Sequence, residues 1–124
     1  STFTRVEYNA DPYTYIKPMD HGRPFYDIAT GDPQWFAQYI ADIAFVLETA
    51  YQVDVLQTRH KQWAEQIKTA VQEDPTRPFS FADHLDAVKE ERAYFKKRHD
   101  FVKKWLECWQ NGGTKDANGK CKKP

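Results

Sequence analysis

FADHLDAVKEERAYFKKRHDFVKKWLECW, residues 81–109, decides the fold. Phe81, Leu85, Val88, Arg92, Phe95, His99, Val102, Leu106 and Trp109 follow one another in steps of four and three. That spacing lays a seam along one face of a single helix, as in a bundle or coiled coil. Arg92 and His99 are the polar members of the seam and read as positions that set register and pairing. Ser80 precedes the run, with Asp83 three residues on, an acidic variant of the capping box. Gly112-Gly113 ends it, so the helix spans roughly 30 residues, or about 45 Å.

Working outward, Asp32-Pro33 announces an earlier helix, an N-cap followed by proline at the first helical position. Phe36, Ile40, Ile43, Leu47 and Ala50 repeat the four-three rhythm, and Trp35, Tyr39 and Val46 widen the stripe. A second helix follows from about Val53-Asp54, with a seam of Leu56, His60, Trp63, Ile67 and Ala70. It stops at Asp74-Pro75, and Pro75 to Pro78 forms the turn into the long helix. The expectation is an all-α chain whose residues 32–110 form an up-down-up three-helix bundle with a long third helix. The first two helices are nearer 30 Å each, so the third should overhang and need cover for Phe101 to Trp109.

Residues 1–31 read as an irregular aromatic N-terminal arm, broken by Pro12, Pro18 and Pro24. The arm carries Phe3, Tyr8, Tyr13, Tyr15, Phe25 and Tyr26, and it is the natural cover for the overhang. Thr2 to Val6 alternates like a short edge strand. Residues 111–124 form a polar tail. Cys108 and Cys121 stand at its root with twelve residues between them, and a disulfide between them is favoured over free thiols. That pairing leans toward a secreted, cell-surface or periplasmic protein.

The 18 basic and 18 acidic side chains cancel, which gives no whole-molecule steering toward nucleic acid. Their placement is uneven: residues 96–124 hold nine Lys/Arg against three Asp/Glu, or +6, leaving −6 on residues 1–95. The basic end suits the negative terminus of the long helix. No stretch approaches the roughly 20 apolar residues of a membrane span. The chain opens on Ser1 without a signal-peptide core, and it reads as a processed or excised piece of a longer protein.

Motifs that would carry chemistry are sparse. His60 and His99 both fall on seam positions, and His21 sits in Lys17-Pro18-Met19-Asp20-His21, so these three histidines are the weak candidates for a metal site. No third ligand stands at a helical offset to complete a set, and hydrogen-bonded seam histidines are the commoner outcome. Asp116-Ala117-Asn118-Gly119 echoes the start of a calcium loop but lacks the closing glutamate, and reads as a tight turn. No phosphate loop, nucleophile elbow or His-Glu-x-x-His pair occurs. No catalytic or cofactor-binding residue is assigned.

Arg23-Pro24-Phe25-Tyr26-Asp27-Ile28, followed by Asp32-Pro33-Gln34-Trp35-Phe36-Ala37-Gln38-Tyr39, resembles the entry to the C-terminal helical portion of the CotH kinase-like family, the secreted and spore-coat atypical kinases. Glu73-Asp74-Pro75-Thr76-Arg77-Pro78-Phe79-Ser80 and Tyr94-Phe95-Lys96-Lys97-Arg98-His99-Asp100-Phe101-Val102 extend the likeness, which covers Arg23 to Leu106, about two-thirds of the chain. The family's nucleotide lysine, catalytic aspartate and metal-binding aspartate segment have no counterpart here. The resemblance implies a piece of the helical lobe, with ATP and a divalent cation belonging to a core in the parent protein.

The functional expectation is therefore an extracytoplasmic interaction or structural subunit derived from a CotH-like protein and non-catalytic alone. Its partner would be the remainder of the parent or another protein subunit, met through Tyr13, Tyr15, Phe25, Tyr26, Trp105 and Trp109. The alternatives are the helical-lobe part of an active CotH-like protein kinase and a metal-binding module.

Overall fold

A computed structural model describes residues 6–16 and 23–124. After a 3-10 turn at Thr14–Ile16 come four helices, α1 (Pro24–Gly31), α2 (Pro33–Thr49), α3 (Val53–Glu73) and α4 (Phe81–Gln110). A two-stranded antiparallel hairpin, β1 (Thr114–Lys115) and β2 (Cys121–Lys122), closes the chain. The all-α expectation holds. The proposed edge strand at Thr2 to Val6 falls mainly outside the described residues, as does His21.

Local chemistry sets the helix ends. The Asp32 carboxylate accepts from the backbone N–H groups of Gln34 and Trp35 at 2.9 and 3.1 Å, with Pro33 behind it as the first helical residue. Ser80 and Asp83 form the reciprocal capping box: the Ser80 hydroxyl accepts from Asp83 N–H at 3.0 Å, and the Asp83 carboxylate accepts from Ser80 N–H at 3.1 Å. Gly112, at φ +84°, turns the chain out of α4.

The arm is not irregular throughout. Pro24, read as an interruption, instead starts α1, because a proline ring is preorganised for the first turn and lacks only an N–H that has no helical partner there.

The helices do not run up-down-up. Phe36 of α2 stacks edge-on to Trp109 of α4, while beyond the break Tyr51 donates to the Phe95 carbonyl, Gln57 to the Arg92 carbonyl, and His60 meets Glu91. Numbers rise along α2 and α3 as they fall along α4, so both helices run antiparallel to α4 and in the same direction as each other. The reason lies at Ala50–Gln52. Ala50 keeps right-handed helical angles, and both Ala50 and Tyr51 N–H still bond the Val46 carbonyl. Gln52 is extended, at φ −87° and ψ 105°, and α3 resumes at once. One extended residue kinks the path without reversing it. The molecule is a long helical hairpin with one broken arm, α2 then α3, laid along the unbroken α4.

This arrangement also removes the expected overhang, because α2 itself covers the far end of α4. The arm adds to that cover. Trp105 donates its indole N–H to Asp11 at 3.1 Å, and the Arg98 guanidinium donates to the carbonyls of Tyr8 and Ala10. The core gathers here, around Tyr13, Phe36, Ile40, Val102, Trp105 and Leu106.

α3 differs. None of its 21 residues is buried. Its expected seam is rotated: His60 faces α4, but Trp63 and Ile67 stand exposed, and Gln57 takes an inner position. Among the described elements α4 is the main neighbour of α3, and the Trp63–Ile67 flank of its apolar stripe stays exposed.

Candidate functional site

The chemistry-bearing groups concentrate where the tail meets the α1–α2 turn. Cys108, in the last turns of α4, is joined to Cys121 of β2, as the sequence spacing favoured. Gly113 must be glycine for this closure, since a Cβ there would lie 2.3 Å from Cys121 Sγ and 2.5 Å from the Cys108 carbonyl oxygen. The tight turn at Asp116–Gly119 forms as expected: Asp116 Oδ1 accepts from Asn118 and Lys120 N–H at 2.8 and 2.9 Å, and Gly119 takes φ +79°. For a loop of this length a disulfide stabilises by about 3 kcal/mol.

The closed hairpin aims Lys115 at the core. Its ammonium lies 4.0 Å from the Phe36 ring centre and 4.6 Å from that of Tyr13, and donates to the Thr30 carbonyl at 2.8 Å. A cation over aromatic faces gains about 0.5–1 kcal/mol when exposed and about 2 when desolvated. Beside it, a cleft of about 640 Å³ is lined by Pro33, Phe36, Ala37, Ile40 and Trp109 together with the root of the hairpin. Sequence reading missed Lys115 and Thr30, because nothing in the spacing of a tail lysine shows which rings it will meet.

Behind the cage lies a tyrosine cluster. Tyr26 donates its hydroxyl to the Tyr13 carbonyl and Tyr39 to the Pro12 carbonyl, each at 2.7 Å. Burial pushes both phenols above their ordinary range, Tyr26 strongly and with help from the neighbouring Tyr39. These hydroxyls stay protonated and act as fixed donors that tie the arm to α1 and α2.

The six residues expected to meet a partner divide. Tyr13 and Trp105, 4% and 6% exposed, are core and offer nothing to another protein. Tyr26 and Trp109 are half-buried and pack against that core. Tyr15 and Phe25 are exposed, Phe25 at 89%. The correction follows from the path of the chain, which folds the aromatic arm onto α4. Outward-facing apolar side chains lie elsewhere, at Ile28, Trp35, Phe45, Trp63 and Ile67. Trp35 had been read as widening a buried stripe, and Trp63 and Ile67 as seam.

The histidines are not brought together into a metal centre. His60 Nε2 lies 3.2 Å from Glu91 Oε2, with its ring edge-on to Phe95 and its Nδ1 without a hydrogen bond. His99 sits against the Tyr51 ring and 3.5 Å from Asp100. Among the described residues no group of three or more His, Cys, Asp or Glu side chains converges on one point. The Arg92 Nε has no hydrogen-bond partner, while the Arg92 carbonyl accepts from Gln57 at 3.0 Å. Among the described residues, no helix is long and apolar enough to cross a membrane. No family model matches the chain, and neither a curated protein nor a solved structure matches it.

Proposed function

We propose that this chain is a non-catalytic interaction or structural subunit that works outside the cytoplasm, without a cofactor of its own, by presenting the apolar flank of α3 to a protein partner. The observation that carries the reading is α3 itself. It is a 21-residue amphipathic helix with no buried residue, and Trp63 and Ile67 stand one turn apart on its open flank, 62% and 49% exposed. Burying two such side chains gains about 2–3 kcal/mol each. Neighbouring exposed apolar side chains on a helix that contributes nothing to the core mark a contact face.

A photo-crosslinking residue placed at Trp63 tests the reading in the source cell, with Gln66 as the control position on the same helix. Crosslinks to a defined protein from position 63 and not from 66 support it, while identical patterns from both positions overturn it. The extracytoplasmic placement draws support from the Cys108–Cys121 disulfide. Trapping thiols at lysis checks it, since a reduced pair in the native compartment removes that support. The CotH-like parentage rests on the Arg23–Leu106 likeness alone. The coding sequence upstream of Ser1 tests it directly: a secretion signal and a kinase-like core favour it, and an unrelated sequence ends it.

A further inference from the structure

We propose that the seat formed by the Tyr13 and Phe36 rings and the Thr30 carbonyl is an alkylammonium-binding site held shut by the chain's own Lys115, and that reduction of Cys108–Cys121 opens it to a lysine or N-methylated lysine side chain of a protein ligand. The chemistry of the site is shown by its present occupant. Two ring faces, from Tyr13 and Phe36, and one carbonyl oxygen, from Thr30, meet a single ammonium group within 4.6 Å. Each wall has partners outside the tail: Tyr13 packs on Phe36 and Tyr26, its carbonyl accepts from the Tyr26 hydroxyl, and the Thr30 hydroxyl donates to the Tyr26 carbonyl. Two aromatic rings attract any alkylammonium, and the carbonyl adds a hydrogen bond for one that keeps an N–H.

The occupant is held by slight means. β1 and β2 have two residues each, too short to persist as a free hairpin. Three anchors keep them in place, the disulfide, the Lys115 contact itself and, at the root, the Gly113 N–H bond to the Cys108 carbonyl at 2.9 Å. Cys121 is the more accessible end of the disulfide. A dithiol reductant attacks its sulfur and Cys108 leaves as a thiolate that takes up a proton. The second thiol of the reductant then displaces Cys121, leaving two cysteine thiols and the reductant's own cyclic disulfide. With that anchor gone, Gly112 and Gly113 let the strand swing clear. Lys115 then competes for the cage as a loosely tethered group with a lower effective concentration. This inference is independent of the α3 docking reading, since it concerns the opposite end of the hairpin.

The test uses the full chain, with tetramethylammonium and the amides of N-acetyl-lysine and its trimethylated form as probes, read by the aromatic NMR signals of Tyr13 and Phe36. The oxidised wild type should show no saturable shift, while the chain reduced with dithiothreitol, its helicity checked by circular dichroism, should bind at least about tenfold more tightly. Lys115→Ala with the disulfide intact should bind even when oxidised, and it decides the matter if the reduced chain loses its helices. Equal weak binding in oxidised wild type and Lys115→Ala overturns the site. Binding by Lys115→Ala, with the reduced and still helical wild type remaining closed, overturns the redox gate. Preference between the two lysine amides identifies the methylation state of the ligand.

Discussion

The two ends of the helical hairpin are built from the same seam and end up as different materials. At the end holding α2 and residues 96–110 of α4, the seam is covered on three sides, by α2, by the arm from Tyr8 to Tyr13, and by the disulfide-tied hairpin. Every buried side chain among the described residues lies there. At the other end, among the described residues, α3 and residues 81–95 of α4 cover mainly each other, with Val6 of the arm beside His60 and Phe95, and neither contributes a buried residue. The four-three rhythm is equally regular in both halves. A heptad seam therefore specifies which face of a helix is apolar, while the number of neighbours decides whether that face becomes a core.

The sharpest way to break this comparison is to remove a ring from the covered end. Trp105→Ala deletes a buried indole and takes the indole donor from Asp11 Oδ2, while Oδ1 still accepts from Tyr13 and Thr14 N–H. It should cost about 3–5 kcal/mol, read as a lowered urea midpoint. If the chain tolerates it with less than about 1 kcal/mol lost, the covered end is not the stabilising half.

Next in size is the staple. Replacing Cys108 and Cys121 together by serine should remove about 3 kcal/mol. Gly113→Ala should do much of the same damage with both cysteines present, because its Cβ would collide with Cys121 Sγ and the Cys108 carbonyl. The expected signature is a fraction of free thiol in the purified variant, against none in the wild type.

Much of this was legible from the residues, and the misses share one cause. Helix starts at Pro33 and Phe81 could be read because Asp32-Pro33 and Ser80 with Asp83 are local chemistry. So could the Cys108–Cys121 pairing and the Asp116–Gly119 turn, which depend on short separations. The path of the chain at Ala50–Gln52 could not. Whether three residues reverse a helix or kink it depends on the angles of one of them, Gln52, and no residue type there dictates the answer. That one ambiguity turned an expected bundle into a hairpin. It leaves Trp63 and Ile67 exposed in place of a seam, while the arm laid on α4 buries Tyr13 and Trp105, the rings the sequence reading offers to a partner. The Lys115 cage was invisible for the related reason that it joins residues 85 positions apart.

The two ends should also respond differently to pH, with raised phenols only at the covered end and lowered carboxylates at both, since Asp100 of the covered end is held low by its hydrogen bond from Lys96. At the covered end the folded-state values of Tyr26 and Tyr39 are raised above the ordinary 10.0. Their contribution is complete below that value and is lost as pH climbs through the folded-state values, since only the unfolded chain ionises readily. Thermal melts should fall above about pH 10, and Tyr26→Phe should flatten that fall while losing the bond to the Tyr13 carbonyl. At the open end Asp83 is held below its ordinary 3.8 by its hydrogen bonds with Ser80. Its contribution is present above that value and disappears as pH drops through the folded value. Ser80→Ala should cost about 1 kcal/mol near neutral pH and remove most of that acid dependence. Hydrogen exchange localises both effects, with α3 and the first turns of α4 opening at lower free energy than the Val102–Cys108 segment.

The smallest expected effect on stability is the most telling about use. Trp63→Ala makes the same chemical change as Trp105→Ala, on a ring of the same kind. Trp63, however, is 62% exposed and sits on a helix without a buried residue. Its loss should leave the unfolding free energy within about 0.5 kcal/mol of wild type, and the double variant Trp63→Ala/Ile67→Ala should behave similarly. A tryptophan that contributes so little to its own fold contributes to something else or to nothing, and the photo-crosslink from position 63 separates those outcomes. A large destabilisation would instead mean that α3 is covered within the folded chain, and the contrast between the two ends would collapse.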